Sequence, residues 1–211
     1  MSDPTSALRD RVLSAARERS SPTRRELARR RAVAGAVTLS WAALIALVMG
    51  HGAELAAGLA LTTVWALGLL VSYVVLFRFP GRATGAPRAV STAVGLAVGL
   101  VVTVAAAVVT QLRGLTDVSE GHHVACFGIS LLVAAGPMAA FLATERGAEP
   151  VAPTSRGAAL GAFAGAAAGL AMCFVCSHVD PVHMLAGHVT ALFVSVAVGA
   201  VLGQRLLAMR G

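Results

Sequence analysis

The chain has 211 residues, is 57% hydrophobic and only 13% charged, and carries a net charge of +7. Soluble domains run at about 45–50% apolar and about 25% charged residues, and disorder needs low hydrophobicity, so this balance argues against both. All 17 basic residues are arginine, which leaves nucleic acid or an anionic surface as partners until the placement of the charges is considered.

The first 31 residues are polar. Leu8, Val12, Leu13 and Ala16 recur at helical spacing among Arg9, Asp10, Arg17, Glu18 and Arg19, which predicts a short amphipathic helix. Ser20-Ser21-Pro22 ends it. Thr23 and Glu26 have capping-box spacing and start a second helix that leads into the first apolar run. With nine Arg and four acids the arm has a charge of +5. The plain reading is an anchor on anionic lipid. The functional one is a docking helix for a cytoplasmic partner, with Leu8, Arg9, Val12, Leu13 and Arg17 as its contact residues. Direct nucleic-acid binding is not expected, because no aromatic residues interleave with the arginines.

Six apolar stretches follow: Ala32 to Met49, Glu54 to Phe77, Val90 to Leu112, Val124 to Ala143, Gly157 to Cys176 and Met184 to Leu207. Each is close to the length of about 20 residues that crosses a hydrocarbon core. None has a charged residue in its interior, as lipid demands. The first run is longer than the core of a signal peptide and is read as a retained span. Sixteen of the 17 Arg flank one set of ends, and Arg113 alone lies on the other. By the positive-inside rule the arginine-rich side is cytoplasmic. The expected fold is therefore all-α: a polytopic, multi-pass bundle of six transmembrane helices with both termini inside. It divides into a cytoplasmic arm, 1–31, and a membrane domain, 32–211. Short connections predict that neighbours in sequence pack as antiparallel hairpins.

Within the membrane part, Gly157, Gly161, Gly165 and Gly169 form a stripe in the fifth span. Gly95 and Gly99, and Gly199 and Gly203, repeat its spacing. Such stripes let helix backbones approach closely, and tight packing is preferred over a sliding contact as their role. Pro137 lies inside the fourth span, where it removes a backbone donor. No span carries mid-membrane acids or bases, which argues against an ion-coupled carrier. No phosphate loop, GxSxG, HExxH or carboxylate pair is present, so no enzyme is expected.

All six His lie near the outer ends of the spans: His51, His122, His123, His178, His183 and His188. Cys126, Cys173 and Cys176 lie at about the same depth. Cys126 is in reach of a disulfide with Cys173 or Cys176 if the helices approach, since an oxidising outer compartment permits one. Thiols with imidazoles also suit zinc or copper, with His122, His123, His178, His183 and His188 as candidate ligands. His183 and His188 are five apart, near but not on the same face of an α-helix, which weakens a two-His grip. The plain alternative is that the polar loops simply hold His and the helices pack small Cys.

The stretch Cys176-Ser-His-Val-Asp-Pro-Val-His183-Met-Leu-Ala-Gly187-His188 resembles the NrsF-type membrane proteins, negative regulators of an extracytoplasmic-function sigma factor. Gly203-Gln-Arg205-Leu206-Leu207 at the end of the last span, and Cys126 at the opening of the fourth, are similar to that family as well. Ser177 stands where the family usually has Pro, and Cys173 is an extra thiol. The resemblance implies an anti-sigma factor of the bacterial inner membrane. Its arm would hold the sigma factor, and a periplasmic redox or metal stimulus near Cys126 and Cys176 would release it. The alternatives are a small metal-handling or transport protein, or a structural subunit of a membrane complex.

Overall fold

The computed structural model describes residues 14, 23–49, 55–78, 88–113, 120–145, 152–176, 178 and 180–207. Among them there is no strand. Six helices fall on the six apolar stretches: α1 (Arg24–Met49), α2 (Leu55–Arg78), α3 (Arg88–Arg113), α4 (Glu120–Glu145), α5 (Pro153–Met172) and α6 (Pro181–Leu206). Thr23 caps α1: its hydroxyl accepts from the Glu26 amide at 3.2 Å, and Glu26 pairs with Arg30 one turn on. Leu8, Arg9, Val12, Leu13 and Arg17 lie outside the described residues, as does His51.

By length and composition α1, α4 and α6 can each cross a bilayer unaided, over Arg25–Met49, His122–Glu145 and Pro181–Leu206. Leu61–Val74 in α2 and Ala97–Val108 in α3 are shorter apolar segments. The expectation of six crossings is thus met for three helices, which is enough to make the protein membrane-associated. The outer faces agree. Leu39, Leu47, Val48 and Val124 are all more than half exposed, an arrangement that suits lipid and not water.

The helix at the centre is α5, in contact with all five others. One apolar cluster joins it to α1 and α4 around Phe141, Leu160 and Phe163. A second joins it to α2, α3 and α6 around Trp65, Val102 and Leu192. The glycine stripe explains how α5 takes so many partners. A Cβ on Gly157 would lie 2.0 Å from the Gly199 carbonyl oxygen, and one on Gly161 would lie 2.1 Å from that of Ser195. The α5 and α6 backbones therefore touch directly. At the far end a Cβ on Gly169 would lie 2.4 Å from the Trp65 ring, so the stripe passes from α6 to α2.

The hairpin expectation holds for α2 with α3, α4 with α5 and α5 with α6, but not elsewhere. Among the described residues α1 packs on α4 and α5 instead of α2, and α3 packs on α2, α5 and α6 instead of α4. The reason is the central helix: once α5 occupies the middle, the others arrange around it by contact surface and not by chain order.

Candidate functional site: a thiol–imidazole centre

At the start of α6, Asp180 accepts a hydrogen bond from the His183 amide at 2.8 Å, with Pro181 in the first turn. This is an N-cap made by a short acidic side chain, with proline where no amide partner is needed. The helix then opens into a π segment, Met184–Val189. The Thr190 amide and hydroxyl both donate to the Leu185 carbonyl, five residues back. On an α-helix His183 and His188 would diverge by about 140°. The slower winding of the π segment narrows that divergence and turns both toward the same side. Their rings lie 5.2 Å apart. The expectation that the five-residue spacing weakens a two-His grip is therefore corrected by the local winding.

Gly187 lies between them. A Cβ there would be 3.3 Å from Cys126 Cβ, so its absence lets α6 close on α4. Cys176, just beyond α5, completes the approach. Its Sγ is 3.7 Å from Cys126 Sγ and 3.1 Å from His183 Nε2. Cys126, Cys176, His183 and His188 together bring one donor atom each within 4.8 Å of one another. All three cysteines are unlinked thiols. A disulfide needs about 2.05 Å between sulfurs. Two sulfurs on a tetrahedral ion at about 2.3 Å would sit about 3.8 Å apart. The observed sulfur separation is close to the second, although Cys176 Sγ and His183 Nε2, 3.1 Å apart, would have to spread to share an ion.

His183 and His188 are both buried. Ser130, one turn below Cys126 on α4 and itself buried, lies 3.1 Å from His188 Nδ1 and so leaves the other ring nitrogen for a ligand. Asp180, His123 and His183 form a second group of donors within 4.8 Å. Asp180 Oδ2, His123 Nε2 and His183 Nδ1 are buried with no hydrogen-bond partner. A carboxylate next to the second nitrogen of a ligating imidazole is the usual way to fix its orientation.

The remaining histidines flank this group. His122 stacks edge-on against His178 at 5.1 Å, and His178 lies 5.4 Å from His183. Cys173 is outside the donor set: its thiol turns back to the Gly169 carbonyl at 3.4 Å and packs beside the second apolar cluster. The sequence alone assigns no individual role to Ser130, Asp180 or Gly187. The spacing Cys126 to Ser130 was the available signal for the first, and Asp-Pro-x-His, a capping pattern, for the second.

These features define a helical membrane protein with a thiol–imidazole centre at one end of its bundle. The chain belongs to the NrsF family, negative regulator of sigma F, whose family model matches residues 13–208, nearly its whole length. The family's name gives it the role of a negative regulator and a sigma factor as its partner. No curated protein and no solved structure matches it.

Proposed function

We propose that the protein is an anti-sigma factor that crosses a bacterial inner membrane six times with both termini in the cytoplasm. Its arm, residues 1–31, holds an extracytoplasmic-function sigma factor at the membrane. The arginine asymmetry and the apolar anchors of the arm support this arrangement. The stimulus acts at the periplasmic end, on Cys126, Cys176, His183 and His188. The observation that carries this reading is the convergence of those four donors within 4.8 Å from three separate parts of the chain. That set suits a soft or borderline cation such as zinc or copper(I). Its two thiols also suit oxidation to a disulfide, with loss of two protons and two electrons to the oxidant. Either event favours one arrangement of α4, α5 and α6 over another, as any effective ligand must.

The test is co-purification from cells with tagged full-length chain and with a chain lacking residues 1–31. Capture of a sigma factor by the full-length chain alone supports the reading. Capture that ignores the arm, or no capture, refutes it. The same donor set also favours a metal-handling membrane protein. Proteoliposomes with a zinc indicator inside separate the two, since a carrier fills the lumen and a sensor does not.

A further inference from the structure

The thiol–imidazole centre and Arg31, where the arm enters α1, lie at opposite ends of α4. That helix carries Cys126 and Ser130 at the outer end and Glu145 at the inner end, about 28 Å from Cys126 at 1.5 Å per residue. Glu145 is 2% exposed. Arg31, the last residue of the arm, grips it with Nε and Nη2 at 2.7 and 3.2 Å. Arg156, at the start of α5, grips it with Nη2 and Nε at 2.9 and 3.2 Å. The carboxylate therefore gathers the inner ends of α1, α4 and α5.

Midway along α4, Pro137 has no amide to offer the Val133 carbonyl one turn back. Trp41 of α1 replaces it: its indole Nε1 donates to that oxygen at 3.0 Å. Gly136 makes room, since a Cβ there would lie 2.9 Å from Nε1. The two ties match in spacing. Arg31 to Trp41 covers about 15 Å of α1, and Val133 to Glu145 about 18 Å of α4. Both are made at once only in one antiparallel register, and a slip of one turn breaks both. The outer ends of α4 and α5 meet in turn through Cys126 and Cys176, 3.7 Å apart.

We propose that Trp41 and the Arg31–Glu145 pair are positioning residues that couple the outer thiols to the arm, with α1 and α4 moving as one body. This rests on the sensor reading above, but its test does not need the sigma factor. When the separation of Cys126 and Cys176 changes, the outer part of α4 tilts against α5 about the inner clamp of Glu145 with Arg156, and the Trp41 tie carries that tilt to α1 and Arg31. Two ties that are made together in one register and broken together in the next give α1 and α4 two discrete arrangements, which is what such an element needs.

The experiment is hydrogen exchange of residues 1–31 in full-length protein in nanodiscs, before and after Zn²⁺ or diamide. Diamide takes two protons and two electrons from the thiol pair and leaves a disulfide and the hydrazine. Wild type should change its exchange rate in the arm at least tenfold with one of the two reagents. Trp41→Phe and Arg31→Gln should cut that change below twofold, while Zn²⁺ affinity and disulfide formation at the centre stay within threefold of wild type. In Arg31→Gln the Glu145 carboxylate keeps Arg156, and far-ultraviolet circular dichroism checks that the helices remain. A Trp41→Phe/Pro137→Ala double variant supplies the missing donor to Val133 and should regain stability without regaining the arm's response. An unresponsive wild-type arm, single variants that respond like wild type, or a double variant that responds fully would each overturn the coupling. A responsive arm with no sigma-factor capture would instead overturn the anti-sigma reading and leave the coupling standing.

Discussion

The hydrogen bond from Trp41 to the Val133 carbonyl exists because Pro137 removes that carbonyl's helical donor. Val133 is 1% exposed, so its oxygen has no access to solvent. Trp41→Phe keeps most of the apolar contact and deletes the N–H. A buried acceptor left alone costs about 1–3 kcal/mol. In a Pro137→Ala background the amide of residue 137 donates to Val133 as in any α-helix, and the indole is no longer needed. Trp41→Phe should then cost only the small packing loss common to both backgrounds. The difference between the two costs, the coupling energy, should be about 1–2 kcal/mol, in the range of contacting pairs. Denaturant titration of the four proteins in mild detergent, followed by far-ultraviolet circular dichroism, measures it. Equal costs of Trp41→Phe in both backgrounds would show that the indole packs beside Val133 without serving it, and the reasoning would fail.

Further expectations concern the rest of the bundle. Gly161→Ala puts a Cβ 2.1 Å from the Ser195 carbonyl and should destabilise by about 1–3 kcal/mol in the same titration, whereas Gly35→Ala, with nothing within 4 Å, should be neutral or stabilising. Glu145→Ala leaves two arginines without their shared anion and should cost about 3–5 kcal/mol, read as loss of folded protein on size exclusion. In calorimetric titration with Zn²⁺, Cys126→Ser and His188→Ala should weaken binding at least about tenfold and Ser130→Ala by about tenfold, with Cys173→Ser unchanged. Thiolate and neutral imidazole ligands must shed protons, so Zn²⁺ affinity should fall as the pH drops from about 8 to about 5. Affinity that is flat or rises on acidification would contradict thiol and imidazole ligation.

The positions of the helices were legible because apolar runs of span length punctuated by arginine have one economical reading. The glycine stripe was legible too, and its role proved to be backbone contact between α5 and α6. Packing order was not, because nothing local to α1 says that it will lie on α4; that depends on α5 taking the centre. At the site, residue types near one depth pointed to Cys126, Cys173, Cys176, His122, His123, His178, His183 and His188, and the structure gathers Cys126, Cys176, His183 and His188 from among them. Their alignment did not follow from α-helical geometry, since it depends on the π segment Met184–Val189. A five-residue spacing between histidines is silent until the winding is known. The Glu145 clamp was invisible for another reason: Arg31, Glu145 and Arg156 are distant in sequence and look like ordinary interfacial charge.

The helix at the middle of the bundle is made largely of alanine and glycine, side chains that gain little from a hydrocarbon solvent. Such a segment has weak reason to stay in lipid by itself, and its most intimate partner, α6, is synthesised after it. Biogenesis is therefore completed from the carboxyl end. Chains arrested before α6 should leave α5 exposed to quality-control proteases, and the assembled regulator should appear only once the final helix has docked against its glycines.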